Sequence, residues 1–297
     1  DANLYMAVSR LTNWAVPAFL MISGLLYLDP ARKTDYRYLL RKPVRRLLLA
    51  LAVFGIPMCL IEELMSGAGT ASVGEMIGNA LIHWISGEAW DHMWYLYMLP
   101  GLLLMVPLIK NFIVQSDSRD AGWLLTILFL FTSVLPTLEY MGFPIGLRFP
   151  IQSVYLLYFV LGYYIEYRAD FSKLRVWWML AISVILGIAL FLRQYWIPGI
   201  EVKYAEPVQV LYSISVFCLI KKLDIRRAVL ARHRNLCFAV YLIHPFFLNV
   251  SYKVLHLTPA VCGVYATPLL FAIAFFAMSI VAAQILMWIP PLKKYVL

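Results

Sequence analysis

Charge is what this sequence has least of. Asp, Glu, Lys and Arg make up 14% of its 297 residues, against 63% hydrophobic residues and a mean hydropathy of +0.78. A soluble domain carries nearer a quarter charged residues and about half apolar ones. A core built from 297 residues has no room for so much apolar surface, which excludes an ordinary water-soluble globule and makes lipid the solvent for most of the chain. Cysteine is also scarce. Cys59, Cys218, Cys237 and Cys262 stand singly in or beside apolar segments with no CxxC pair, so neither a disulfide framework nor a structural zinc site is indicated, and no metal is expected. Residues 1–10 lack a basic stretch followed by an uninterrupted apolar one, so no cleavable signal peptide is expected there. No internal repeat or low-complexity tract stands out, and inverted repeats, the usual mark of secondary transporters, are not evident.

What is present is a series of apolar runs. Nine of them read as membrane spans: Leu11–Leu28, Leu47–Ile61, Met93–Ile109, Ala121–Pro136, Phe149–Ile165, Val176–Leu192, Pro207–Ile220, Leu236–Val250 and Pro268–Trp288. Several are shorter than the roughly 20 residues a helix needs to cross hydrocarbon, and flanking Tyr, Trp and Arg extend them by snorkelling. Lipid-exposed backbone must satisfy its own hydrogen bonds, so the expected fold is all-α: a polytopic transmembrane helical bundle forming one domain over residues 1–297. Residues 62–92 form the longest outer connection. Within it Met76, Ile77, Ala80, Leu81 and Trp84 recur at helical spacing, which predicts an amphipathic interfacial helix.

The formal charge of +9 at first suggests nucleic acid, but the basic residues interleave with spans and not with a soluble recognition fold, so no nucleic-acid partner is expected. Alternate connections hold Arg32, Lys33, Arg37, Arg41, Lys42, Arg45 and Arg46, then Lys110 and Arg119, then Arg168, Lys173 and Arg175, then Lys221, Lys222, Arg226, Arg227, Arg232 and Arg234, and finally Lys293 and Lys294. The other connections hold only Arg10, Arg148, Arg193, Lys203 and Lys253. This bias puts the first set in the cytoplasm, the N-terminus of the sequence outside and its C-terminus inside.

Four local patterns, in order, carry a resemblance: Phe19-Leu-Met-Ile-Ser-Gly-Leu-Leu26, Arg41-Lys-Pro-Val-Arg-Arg46, His92-Met-Trp-Tyr-Leu-Tyr97, and Tyr155-Leu-Leu-Tyr-Phe-Val-Leu-Gly-Tyr-Tyr164 together with Tyr241-Leu-Ile-His-Pro245. As an ordered set spread over the whole chain they resemble the acyltransferase-3 family of integral membrane acyltransferases, and within it the bacterial branch that O-acetylates surface glycans. The resemblance implies a core of about ten helices in the bacterial inner membrane. It implies an acyl group, acetyl by default and succinyl as the alternative, taken from cytoplasmic acyl-CoA and delivered to a hydroxyl on an extracytoplasmic glycan or envelope molecule. The family's first core helix carries a basic residue followed some ten positions later by a histidine. The sequence opens just before what resembles the second helix, and truncation is favoured over natural loss of the first.

The remaining candidates each have a plainer role beside them. Arg41, Lys42, Arg45 and Arg46 are candidates for gripping the phosphates of the CoA donor, since guanidinium matches phosphate bidentately. Topology and lipid headgroups explain some of them equally well. The resemblance implies a pair of arginines near here with two residues between, and Lys42-x-x-Arg45 is the nearest match. His92 is a candidate base or hydroxyl ligand, because imidazole exchanges protons near neutral pH. Trp94 and Tyr95 are candidates for acceptor binding or for an aromatic belt. Arg148 is a candidate for charge stabilisation. His244, mid-span, is an expensive group that usually faces a polar interior. Pro245 frees a backbone carbonyl that the same imidazole could bond, which is its structural alternative. Ser23-Gly24 reads as a close-packing step between helices. The rival function is transport of a small molecule or a flippase activity, as inferred for the membrane part of the serine racemases of vancomycin resistance, with Asn13, Gln152, Gln209 and Gln284 lining a path. A purely structural partner without chemistry is the third reading. Oligomeric state is not legible.

Overall fold

A computed structural model of the chain describes residues 2–65, 72–143, 153–196, 204–223, 234–257 and 266–297. Among these every regular element is helical: α1 (Ala2–Thr12), α2 (Ala15–Tyr27), α3 (Tyr36–Met65), α4 (Val73–Ile85), α5 (Asp91–Gln115), α6 (Ser118–Tyr140), α7 (Val154–Tyr167), α8 (Val176–Trp196), α9 (Pro207–Leu223), α10 (Arg234–Asn249), α11 (Ala266–Leu286) and α12 (Pro290–Tyr295). Six are long and apolar enough to cross a membrane: α3, α5, α6, α8, Leu236–Val254 (α10 and the turn after it) and Pro268–Leu286 within α11. The other three expected spans correspond to α2, α7 and α9, whose described helices have 13, 14 and 17 residues. The protein is an all-α, multi-pass membrane bundle.

Proline sets the local irregularities. The first expected span begins at Leu11, but the helix breaks at Asn13–Trp14, four residues before Pro17, which cannot donate to the Asn13 carbonyl. Wide π turns at Leu40–Val44, Leu51–Gly55 and Leu130–Val134 contain or closely precede Pro43, Pro57 and Pro136, where the ring likewise removes a backbone donor.

The described contacts divide the chain into two compact units. The first comprises residues 1–34 and 106–225 and the second residues 35–105 and 226–297, so α5 contributes its first half to the second unit and its second half to the first. In the first unit α2 packs along α7, α8 packs along α9 and α1 rests on α8. The α2–α7 seam is a backbone-to-backbone approach. A Cβ placed on Gly24 would lie 1.8 Å from the Phe159 carbonyl oxygen, and one on Gly162 would lie 1.9 Å from that of Met21. Ten of the 14 residues of α7 are buried, among them Tyr158, Phe159 and Tyr163, which is why α7 reads as apolar on all sides.

In the second unit the apolar core is built by Ala50, Leu51 and Met58 of α3, Ala80 of α4, Met93 and Leu96 of α5, Ala239 and Leu242 of α10, and Ala283 of α11. The amphipathic helix expected between residues 62 and 92 is α4. It opens with a capping box between Ser72 and Glu75 and is pinned to α3 by the Trp84 indole, which donates to the Leu51 carbonyl at 3.0 Å.

Three of the cations of alternate connections reach carbonyls at or near helix C-termini, where the backbone leaves carbonyls without donors and the dipole is negative. Arg32 reaches the Leu26 carbonyl of α2 at 3.3 Å. Arg168 reaches the Ser116 carbonyl beyond α5 at 2.8 Å, and Lys221 reaches the Ile165 carbonyl of α7 at 2.9 Å. The residues that bias topology are therefore also part of how these helices end.

Candidate functional site

His92 lies at the start of α5 and His244 nearly three turns into α10. Although 152 positions apart in sequence, their rings stand 5.6 Å apart between centroids, edge to face. Tyr241, one turn before His244, packs against both, 5.5 Å from His92 and 6.2 Å from His244, and its hydroxyl donates to the His92 backbone carbonyl. Tyr95 lies 6.2 Å from Tyr241, and Trp94 stands 6.0 Å from Tyr95. Four of the residues singled out in the sequence, His92, Trp94, Tyr95 and His244, thus share one cluster. The member given no role of its own was Tyr241, read in the sequence only as part of the Tyr241–Pro245 pattern. Its signal was a spacing of three from His244, which puts the two side chains on one helix face.

Pro245 explains how His244 is held. The proline has no N–H to give to the carbonyl of Tyr241, four residues back. The His244 Nδ1 fills that gap, 2.9 Å from the Tyr241 oxygen and 3.2 Å from that of Val240. To make these bonds Nδ1 must carry the hydrogen, which leaves Nε2 as the basic lone pair. The structural alternative for His244 and a chemical one are therefore compatible, since one nitrogen is engaged and the other spared.

His92 is stranger. Both its ring nitrogens are shielded from solvent and neither makes a well-formed hydrogen bond, although the Leu242 backbone lies within reach of the ring. Such a group costs about 1–3 kcal/mol if nothing satisfies it. The site therefore holds a buried imidazole with capacity to spare beside a second imidazole whose tautomer is fixed by the backbone. Two imidazoles supply a proton acceptor and a hydrogen-bond partner. They do not complete a metal site, because no third His, Cys, Asp or Glu joins them among the described residues.

The cationic candidates separate by environment. Arg41, Lys42 and Arg45 are exposed, with Lys42 lying 5.4 Å over the Tyr38 ring and Arg45 5.7 Å over that of Tyr295. Arg46 is partly buried and turned to the protein itself. Its Nε donates to the backbone oxygen of Val296 at 2.9 Å, its Nη2 to that of Leu297, and its guanidinium lies 5.3 Å over Phe238. Phe238 stacks on Tyr241 at 6.4 Å. A file of rings therefore runs along α10 from Arg46 to the two histidines, about 9 Å along the axis from residue 238 to 244. Arg148 and Gln152 lie outside the described residues. Of the polar residues named for a transport path, Gln209 is buried and bonds Ser213 of its own helix at 3.3 Å, while Gln284 is exposed.

An all-helical membrane bundle with an imidazole pair lodged among aromatic rings defines a class, a polytopic helical membrane protein. The comparison with known families narrows it. The chain belongs to the acyltransferase-3 family, whose model, described as an acyltransferase domain, matches residues 2–288. No curated protein and no solved structure matches it.

Proposed function

We propose that the protein transfers an acyl group, acetyl by default, from acyl-CoA to a hydroxyl of an extracytoplasmic glycan or envelope molecule in the bacterial inner membrane. The observation that carries this reading is the His92–His244 pair in a chain that belongs to an acyltransferase family. His92 binds the acceptor hydroxyl. The hydroxyl proton passes to the imidazole pair, with Nε2 of His244 as acceptor, while the hydroxyl oxygen forms a bond to the thioester carbonyl carbon. The carbon–sulfur bond breaks, and the CoA thiolate leaves and takes up the proton. Arg41, Lys42 and Arg45 are exposed and able to meet the CoA phosphates, whereas Arg46 is committed to the chain segment at Val296 and Leu297. Trp94 and Tyr95 offer apolar faces on which a sugar ring packs. The Lys/Arg bias supports a donor side in the cytoplasm, with the first residue of the sequence outside and the last inside.

The test is transfer of label from acyl-CoA to the envelope glycan fraction, in membranes containing the full-length gene product. Normal expression without transfer to any acceptor would sink the reading. Full activity in both His92→Phe and His244→Asn would move the base elsewhere, to a histidine such as the resemblance implies on a preceding helix.

A further inference from the structure

Tyr241 bonds both histidines of the pair, and it does so with different atoms. Its hydroxyl donates to the backbone carbonyl of His92 on α5. Its own backbone carbonyl accepts from Nδ1 of His244, one turn further along α10, at 2.9 Å. Its ring meets the His92 ring edge to face at 66° and lies tilted at 46° to that of His244. One residue thus joins α5 to α10 where the two imidazoles approach to 5.6 Å.

Each bond answers a weakness in its own helix. His92 sits in the 3₁₀ turn Asp91–Met93 that leads into α5, and the residue before that turn, Trp90, gives it no side-chain cap. Turns of this kind have poorer hydrogen-bond geometry than an α-helix. The His92 ring makes no well-formed bond that would fix it from the side-chain end. The Tyr241 hydroxyl fixes it from the backbone end. On α10 the weakness is Pro245, which has no N–H for the Tyr241 carbonyl. That carbonyl therefore takes the hydrogen of His244 Nδ1 and settles which nitrogen keeps a basic lone pair. A phenol has a single hydrogen, and the bond to the His92 carbonyl uses it. Tyr241 in this arrangement holds the pair and does not act as an acid.

We propose that Tyr241 is a positioning residue for acyl transfer: its hydroxyl sets where His92 stands, and its carbonyl sets which nitrogen of His244 is basic. The inference rests on the histidine pair as the site of proton transfer and names the residue that arranges it. A packing role alone would reside in the ring, which also stacks on Phe238 and meets Tyr95. The positioning role resides in the hydroxyl and the carbonyl, so substitution separates the two.

The test uses the purified full-length protein with isotope-labelled histidine rings, observed by NMR. Resonances of His92 and His244 are assigned by their loss in His92→Phe and His244→Asn. Tyr241→Phe keeps the ring and the carbonyl but loses the hydroxyl. It is expected to shift the His92 resonances and to leave His244 in its Nδ1–H form. Its kcat for acyl transfer, per folded molecule, is expected to fall by about tenfold or more with the KM for acyl-CoA held within about twofold, since a misplacement of about 1 Å costs up to about 100-fold. Pro245→Ala leaves Tyr241 whole but gives its carbonyl a backbone N–H, and is expected to bring the Nε2–H form of His244 into the spectrum. A folded Tyr241→Phe with wild-type kcat, or with unmoved His92 resonances, overturns the positioning role and leaves acyl transfer standing. A folded Pro245→Ala with His244 wholly in the Nδ1–H form overturns the part given to the carbonyl. A wild type that transfers no acyl group overturns the function instead, and the resonances, which need no substrate, decide separately whether Tyr241 holds the pair.

Discussion

Two helix seams of this protein are built in opposite ways. Where α2 meets α7, glycines let backbones touch, and no space is left for a Cβ at Gly24 or Gly162. Where α5 meets α10, rings stand between the helices, and the buried His92 ring makes no well-formed hydrogen bond. The first arrangement is how membrane helices gain affinity when water supplies no hydrophobic drive between them. The second sacrifices stability to keep reactive groups available. The contrast separates scaffold from site and says how each should respond to substitution.

The largest effect is expected at the tight seam. Gly24→Ala or Gly162→Ala puts a Cβ within 2 Å of a backbone oxygen, which cannot rotate aside. A loss of about 3 kcal/mol or more is expected, read as failure to recover folded protein in detergent or as a collapse of its melting temperature. Gly101→Ala and Gly122→Ala meet nothing within 4 Å and serve as controls. If all four behave alike, the seam is not as close as described.

The ring-spaced seam should show the reverse pattern. His92→Phe retains a ring for packing and removes two buried ring nitrogens that make no well-formed hydrogen bond, so stability is expected to stay within about 1 kcal/mol. Acyl transfer is expected to fall by about 100-fold or more, the usual contribution of a positioned acid–base group. At His244 the two roles can be divided. His244→Asn keeps an N–H near the Tyr241 carbonyl but has nothing in place of Nε2, so it is expected to fold and to lose activity similarly. His244→Ala also strands the carbonyl that Pro245 leaves open and should cost a further 1–3 kcal/mol or so. Equal stability of the two variants would show that the bond to Tyr241 matters little.

How much of this was readable beforehand depends on whether the cause was local. The helical class, the run of spans and the α4 helix follow from periodicity and composition within short windows. So does the role of Pro245, since a proline strands the carbonyl four residues behind it. Ser23-Gly24 was legible as a packing step, but its partner on α7 was not, because the match between Gly24 and Phe159 is a tertiary fact. The break at Asn13 has a local cause too, Pro17 four residues on, and was missed because the span was drawn through it from Leu11. The meeting of His92 and His244 depends on how α5 and α10 are brought together, which no local pattern encodes. Arg46 was one of four similar cations in the sequence, and only packing distinguishes it from Arg41.

That distinction gives a smaller effect. Arg46→Ala removes bonds to two backbone oxygens and the stacking on Phe238, and should cost about 1–3 kcal/mol in thermal unfolding. Arg41→Ala lies on the exposed side and should stay within about 0.5 kcal/mol. If Arg41 meets the donor, its loss raises the KM for acyl-CoA without moving the melting temperature. The same melting temperature for both variants would remove the division between a structural and an available arginine.

The smallest effect is a pH response at the start of α4. Hydrogen bonds from the Ser72 backbone N–H and then its hydroxyl hold the Glu75 carboxyl below the usual carboxylate range. A group whose folded pKa is depressed contributes stability above its unfolded pKa, and loses it as pH falls through the folded value. The first turn of α4 is therefore expected to keep its cap at neutral pH and to fray only when the pH falls below the ordinary carboxylate range of about 4. Because Glu75 is fully exposed, the change stays local and leaves global unfolding nearly unmoved. Amide chemical shifts of residues 73–76 in detergent-solubilised protein report it, and Glu75→Gln should flatten their pH dependence. A shift that persists in Glu75→Gln would assign the titration to another group.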